Sequence, residues 1–295
     1  MKRIHFNARR AFGIATLAVV LPISAFPADP SPESPIELVR RTVQREIATD
    51  NGAKAMFTDH KGTAQGSETK VVVETREGMA GMLVAINDHP LSAAQRQQEE
   101  GRLDGLVNNP ESLKKKQRAE KEDEEHIARI MKALPDAFLY ELEGTAVGSQ
   151  ELGKPGDQLV RLKFRPNPKY NPPSHVEQVL VGMQGYLLID ANQHRIAKID
   201  GTLTKEVAFG WGILGHLDRG GHFLVEQAEV VPGDWEVTRM SLSLTGKELL
   251  FKSINVKSEE VFNNFQSVPS NLTFAQGVEL LKKQEAELAE NRQRP

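Results

Sequence analysis

No cysteine occurs among the 295 residues. That excludes a disulfide framework, a thiolate metal site, a cysteine nucleophile and a lipid-modified N-terminal cysteine. Aromatic residues are sparse at 6%. Neither sign of charge is in excess, with 37 Lys and Arg against 40 Asp and Glu and a formal net charge of −3. The basic stripe expected of a nucleic-acid partner is therefore missing. No Walker loop, G-x-S-x-G elbow or H-E-x-x-H pair is present. The sequence points to no catalytic residue, no cofactor and no resident metal.

A comfortable bilayer span of about 20 apolar residues is also missing. The apolar run at 11–21 is shorter and follows a basic head of Lys2, Arg3, Arg9 and Arg10. With the small residues Ser24, Ala25 and Ala28 behind it, the segment 1–28 reads as a secretory signal cleaved after Ala25 or Ala28. The expectation is an exported protein, periplasmic or secreted, that does not span a membrane after cleavage. Residues 29–34, rich in proline, read as a linker, and 291–295 as a frayed tail. Between them, 35–290 reads as a single domain.

That domain is organised around the stretch 183–256. Strand-length segments at 183–190, 195–203, 222–231, 235–244 and 247–256 are separated by turn chemistry at Ala191-Asn192, Pro232-Gly233-Asp234 and Thr245-Gly246. Strands joined by such short turns pair antiparallel. Strict alternation marks two further strands, one carrying Phe138, Tyr140 and Leu142. In the other, Val160, Leu162 and Phe164 oppose an exposed basic face of Arg161, Lys163 and Arg165. Residues 70–75 and 79–86 form a hairpin around Arg76-Glu77-Gly78, preceded by a loop at 62–67.

Helices flank these strands. Ser34-Pro35-Ile36-Glu37 is a capped helix start, and Ile36, Val39, Val43 and Ile47 give the helix one apolar face. Thr273 and Gln276 open a C-terminal helix in the same spacing. A helical insertion at 91–134 is divided at Asn109-Pro110 and ends at Pro135. Over 91–132 it carries nine basic and nine acidic residues. Its stretch 114–126 is nearly devoid of apolar residues, so the arm 112–130 projects into solvent held by its ends, with ion pairs such as Lys121 with Glu125. This arm is a candidate docking surface for an envelope protein.

One fingerprint fails on context. Gly210-Trp211-Gly212-Ile213-Leu214-Gly215 fits G-x-G-x-x-G, but a strand follows it, not the helix whose N-terminus would hold a pyrophosphate. The glycines instead suit a bend in the sheet. Phe209, Trp211, Ile213, Leu214 and Phe223 around the bend are the candidate ligand-binding residues, at the mouth of an apolar cavity. No pair of histidines matches a metal spacing. His216 and His222, six apart, would need a nearby carboxylate or a third ligand.

Gly185-Tyr186-Leu187-Leu188-Ile189-Asp190, the segment from Arg195 to Gly201 and the later Trp235 strand resemble the LolA/LolB-like lipoprotein-carrier superfamily. The likeness covers 137–268 and, more faintly, 35–90. It implies a curved antiparallel sheet, a half-open β-barrel, covered by helices around an acyl-chain cavity, and it carries over no binding residue. The residues alone reach the same α+β class, because one-sided strands and amphipathic helices need each other for burial. The functional expectation is a non-catalytic carrier of a lipid or acylated protein, the alternative an envelope interaction protein using the charged arm.

Overall fold

The computed structural model describes residues 33–48, 53–209, 215–248 and 252–293. The predicted signal segment lies outside them, as do Trp211, Ile213 and Leu214.

Helix α1 (Pro35–Ala48) begins where Ser34 Oγ accepts the Glu37 N–H at 3.4 Å. Its buried face is Leu38, Val39, Thr42 and Val43. Ile47, expected on that face, is 42% exposed, because the helix turns Leu38 and Thr42 inward instead.

Next come strands β1 (Lys54–Thr63), β2 (Gly66–Thr75), β3 (Gly78–Ile86) and the short β4 (His89–Pro90). The predicted loop at 62–67 is a tight hairpin, with Thr63 opposite Gly66 and the Thr63 hydroxyl donating to Gly66 O at 3.1 Å. Helix α2 (Ala93–Asn108) opens with a capping box of Ser92 and Gln95. Helix α3 (Pro110–Ala137) starts at Asn109, whose Oδ1 accepts from Glu111 and Ser112 N–H at 3.1 Å.

Pro135 does not end α3, which runs on to Ala137. Proline removes only one backbone donor there, and the last carbonyls find tertiary donors. The Tyr140 hydroxyl donates to Leu134 O at 2.7 Å, and Asn167 serves Asp136 O and Ala137 O at 2.8 Å each.

Strands β5 (Phe138–Val147) and β6 (Gln158–Pro166) follow, then a 3-10 turn at Glu177–Gly182. The chain continues through β7 (Met183–Asp190), β8 (Arg195–Leu203), β9 (Val207–Phe209), β10 (Gly215–Leu217), β11 (His222–Val231), β12 (Asp234–Glu248), β13 (Lys252–Val268) and helix α4 (Phe274–Gln293). All named strands pair antiparallel; eleven follow the open order β4-β3-β2-β1-β13-β12-β11-β8-β7-β6-β5, and β10 branches from it, pairing with β12 and β9. The sheet is thus a curved antiparallel sheet that does not close into a barrel, and helices pack on it.

The predicted turn at Thr245-Gly246 is overturned, for both residues lie within β12, which runs to Glu248 opposite Lys252 at the start of β13. Gly246 is there for closeness, since a Cβ would sit 2.1 Å from His216 O on β10. Here β10 takes over the edge of β12 that β11 leaves at Ser243.

Residues paired across a ladder share a face. Leu187, Ile199, Val225, Met240, Glu260 and Lys61 line one face, while Leu188, Lys198, Glu226, Arg239, Val261 and His60 line the other. On the first, α1 and the end of α3 bury Leu162, Leu187, Ile189 and Ile196. On the second, alternation from His60 leads to Met56 and its partner Val73, which with Ala80 and Met82 pack on Leu103 of α2 and on Phe274, Val278 and Leu281 of α4. A twist of about 20–25° per strand brings the two faces round toward helices at either end.

Helix α3 links the two cores, with Leu113 at one and Ile130, Met131 and Leu134 at the other. Residues 121–127 between them are exposed. The arm is held by its ends, as its charge pattern requires, and Lys121 lies 4.0 Å from Glu125.

Candidate functional site

Strands β9 and β10 flank the bend predicted to hold the ligand, with Phe209 opposite Gly215. Phe209 and Phe223 are both half-buried. Phe223 lies beside Leu242 of β12 on the sheet face that also carries Val225 and Met240. The predicted basic strand face is partly occupied, since Arg161 pairs with Glu143 at 2.7 Å and lies 3.8 Å over the Tyr186 ring.

A concavity lies elsewhere. Strands β12 and β13 pair only from Arg239 with Val261 to Glu248 with Lys252. Beyond Val261, β13 continues along β1, with Thr58 opposite Asn263 and Met56 opposite Gln266, while the start of β12 stays with β11. The sheet forks there. A cavity of about 940 Å³ fills the fork, lined on its apolar side by Val230, Val231, Pro232, Val261, Phe262 and Phe265.

A bulge in β13 shapes this wall. Its register against β1 shifts between Met56 and Thr58, and Asn264 there has φ 57°, a left-handed conformation that Asn tolerates better than most residues. In a regular strand Phe262 and Phe265 would point to opposite faces. With the extra residue between them, both reach Phe57, whose ring stacks on Phe265 at 5.4 Å and meets Phe262 edge-on at 6.0 Å. A second cavity of about 290 Å³, lined by Met56, Phe57, Val71, Phe265 and Gln284, shares Asn264 and Phe265 with the first.

The rim is polar. The segment before β6 is pinned to β11 by hydrogen bonds from Gly153 N–H to Gln227 O at 2.7 Å and from Glu229 N–H to Gly153 O at 3.1 Å. It contributes Gln150, Glu151 and Pro155 to the cavity. Lys154 lies 3.4 Å from Glu229, and Arg239 pairs with Glu259 across the β12–β13 ladder. Beneath this segment, Trp235 packs with Leu159, Leu188 and Ala197.

Two carboxyls near these strands titrate abnormally. Burial, reinforced by Glu74 and Asp234, pushes Glu236 of β12 up to about 7. Burial, with Glu260 adding to it, also raises Asp59 of β1. Both therefore hold a proton more readily than an exposed carboxylate, which suits a surface partly withdrawn from water.

The forked cavity was not anticipated from the sequence. A signal for it exists in the spacing of Phe262 and Phe265, which breaks the period of two expected of a strand.

No family model matches the chain, and no curated protein does. Among solved structures, the chain is similar to a "putative outer membrane lipoprotein-sorting protein domain from Vibrio parahaemolyticus", at 11% identity and a TM-score of 0.31, over 83% of this chain and 97% of that one.

Proposed function

We propose that this protein is an exported, periplasmic binding or carrier protein for a lipid or lipoprotein acyl group, acting by burial and without chemistry. The observation that carries the reading is the fork between β12 and β13. Its cavity of about 940 Å³ is of the size of small-molecule sites, roughly 300–1,000 Å³. The aromatic wall of Phe57, Phe262 and Phe265 supplies apolar surface for a chain, and the Lys154 to Arg239 rim supplies polar groups for a head. Phe209 and Phe223 mark the alternative place for the chain on the same sheet, where the sequence adds Trp211, Ile213 and Leu214 as candidates.

Native mass spectrometry with lipid extraction, on mature protein purified gently from its own envelope, tests this. A stoichiometric co-purifying lipid is the expected result. An unliganded mass, together with failure to take up a fluorescent fatty acid, overturns it.

A second reading, an envelope interaction protein docking through 112–130, is favoured by Ile127, which is 64% exposed on the charged arm. Residues 121–127 around it are all exposed, so this length of the arm is open to a partner. Ile127→Asp then abolishes capture of an envelope protein while leaving fatty-acid uptake intact; the carrier reading expects neither property to change.

A further inference from the structure

His216 is half-buried at the centre of the small β9–β10 ribbon, where Ala208 pairs with His216 and Val207 with Leu217. Glu206 and Asp218 are the residues next to Val207 and Leu217, just beyond the end of this ladder. His216 and Asp218, two residues apart, share a face if the strand geometry continues, and His216 Nε2 lies 3.3 Å from Asp218 Oδ1. One ligand atom from each of Glu206, His216 and Asp218 lies within 4.8 Å of the others.

Two carboxylates this close repel each other, and among the described residues no salt bridge joins either to a lysine or arginine. Lys247, the register partner of His216 on β12, is exposed and makes no described ion pair with the cluster. The backbone is fixed from both sides, by β9 and by β12, and the Asp218 N–H donates to Thr245 O at 2.8 Å. The donors therefore converge on a scaffold set by hydrogen-bonded strands.

We propose that Glu206, His216 and Asp218 form a binding site for a divalent transition-metal ion, with zinc as the test ion. One imidazole and two carboxylates match zinc's preference for nitrogen and oxygen donors, and three protein ligands leave a fourth position for water. The ion cancels the charge of the two carboxylates and ties the two strands of the ribbon beside Phe209.

The test is calorimetric titration of zinc into the full metal-free chain, paired with the visible spectrum of added cobalt. Saturable one-to-one binding is expected, weakened at least about tenfold in both His216→Ala and Glu206→Gln. His222→Ala, which removes the imidazole 3.0 Å from Asp200, leaves the binding unchanged. Glu206 is exposed, so its variant guards against a result caused by misfolding, and a zinc-dependent rise in Tm provides a second readout. No saturable binding, binding indifferent to both variants, or binding lost equally in His222→Ala overturns the site.

Discussion

Arg195 Nη2 lies 3.1 Å from Glu46 Oε2, with each side chain only 10% exposed. The other oxygen of Glu46 accepts the Ile196 N–H at 2.7 Å. This one carboxylate fastens the end of α1 to the start of β8. Burial raises the Glu46 pKa while Arg195 opposes the rise, and the Arg195 guanidinium also lies 5.7 Å from the Trp235 ring centroid.

Glu46→Ala leaves Arg195 buried without its partner. The expected cost is about 3–5 kcal/mol in urea unfolding. Glu37→Ala, which breaks an exposed pair with Arg40 on the same helix, costs less than about 1 kcal/mol. Equal costs for the two variants would show that α1 is not held by the buried pair.

Glu236 gives a pH signature. Its folded pKa of about 7 lies above the ordinary carboxyl value of 4.5, so the folded state binds the proton more tightly. The stability linked to this proton is fully present below about 4.5 and is lost as pH rises through about 7. Glu236→Gln is expected to raise stability at pH 8 by roughly 1–3 kcal/mol and to gain nothing over the parent at pH 4. Parallel stability profiles for parent and variant between those pH values would contradict it.

The two apolar patches can be separated by ligand uptake. If the fork holds the acyl chain, Phe265→Ser weakens binding of a fluorescent fatty acid by at least about tenfold, as removal of a central aromatic contact does at binding sites, and Phe223→Ser does not. The reverse pattern places the ligand at the bend that the sequence singled out.

Gly246 is a packing constraint. Its Cβ would lie 2.1 Å from His216 O and 3.0 Å from Leu217 Cα, both part of the neighbouring strand. Gly246→Ala is expected to lower stability by about 1–3 kcal/mol through overpacking and to speed hydrogen exchange of amides in β10. A neutral substitution would mean that β10 is not seated on β12.

Much of the architecture is legible residue by residue. The Ser34, Asn109 and Thr273 helix starts all form; Thr273 caps the last, its Oγ1 accepting the Gln276 N–H at 3.2 Å. The hairpin at 76–78 and the strands at 183–190, 195–203 and 222–231 also stand where alternation and turn residues place them. Pro135 misled because its cost depends on donors from Tyr140 and Asn167. Gly246 misled because a glycine beside a threonine reads as a turn until a third strand is known to press on it. The nearness of Glu206 to His216 was not legible because it depends on the pairing of β9 with β10.

The sequence by itself determined the local elements, since caps, turns and the period of two act within a few residues of one another. It also determined that the helical arm is solvated through its middle, for it has nothing apolar to bury there. Only the tertiary structure decided that β13 leaves β12 at Val261 to follow β1, bringing Phe262 and Phe265 against Phe57 some 200 residues away. Strand partnership is set by complementary faces and backbone hydrogen bonds between distant segments, and a single inserted residue redirects every side chain that follows. The fork and its cavity belong to that choice of partners.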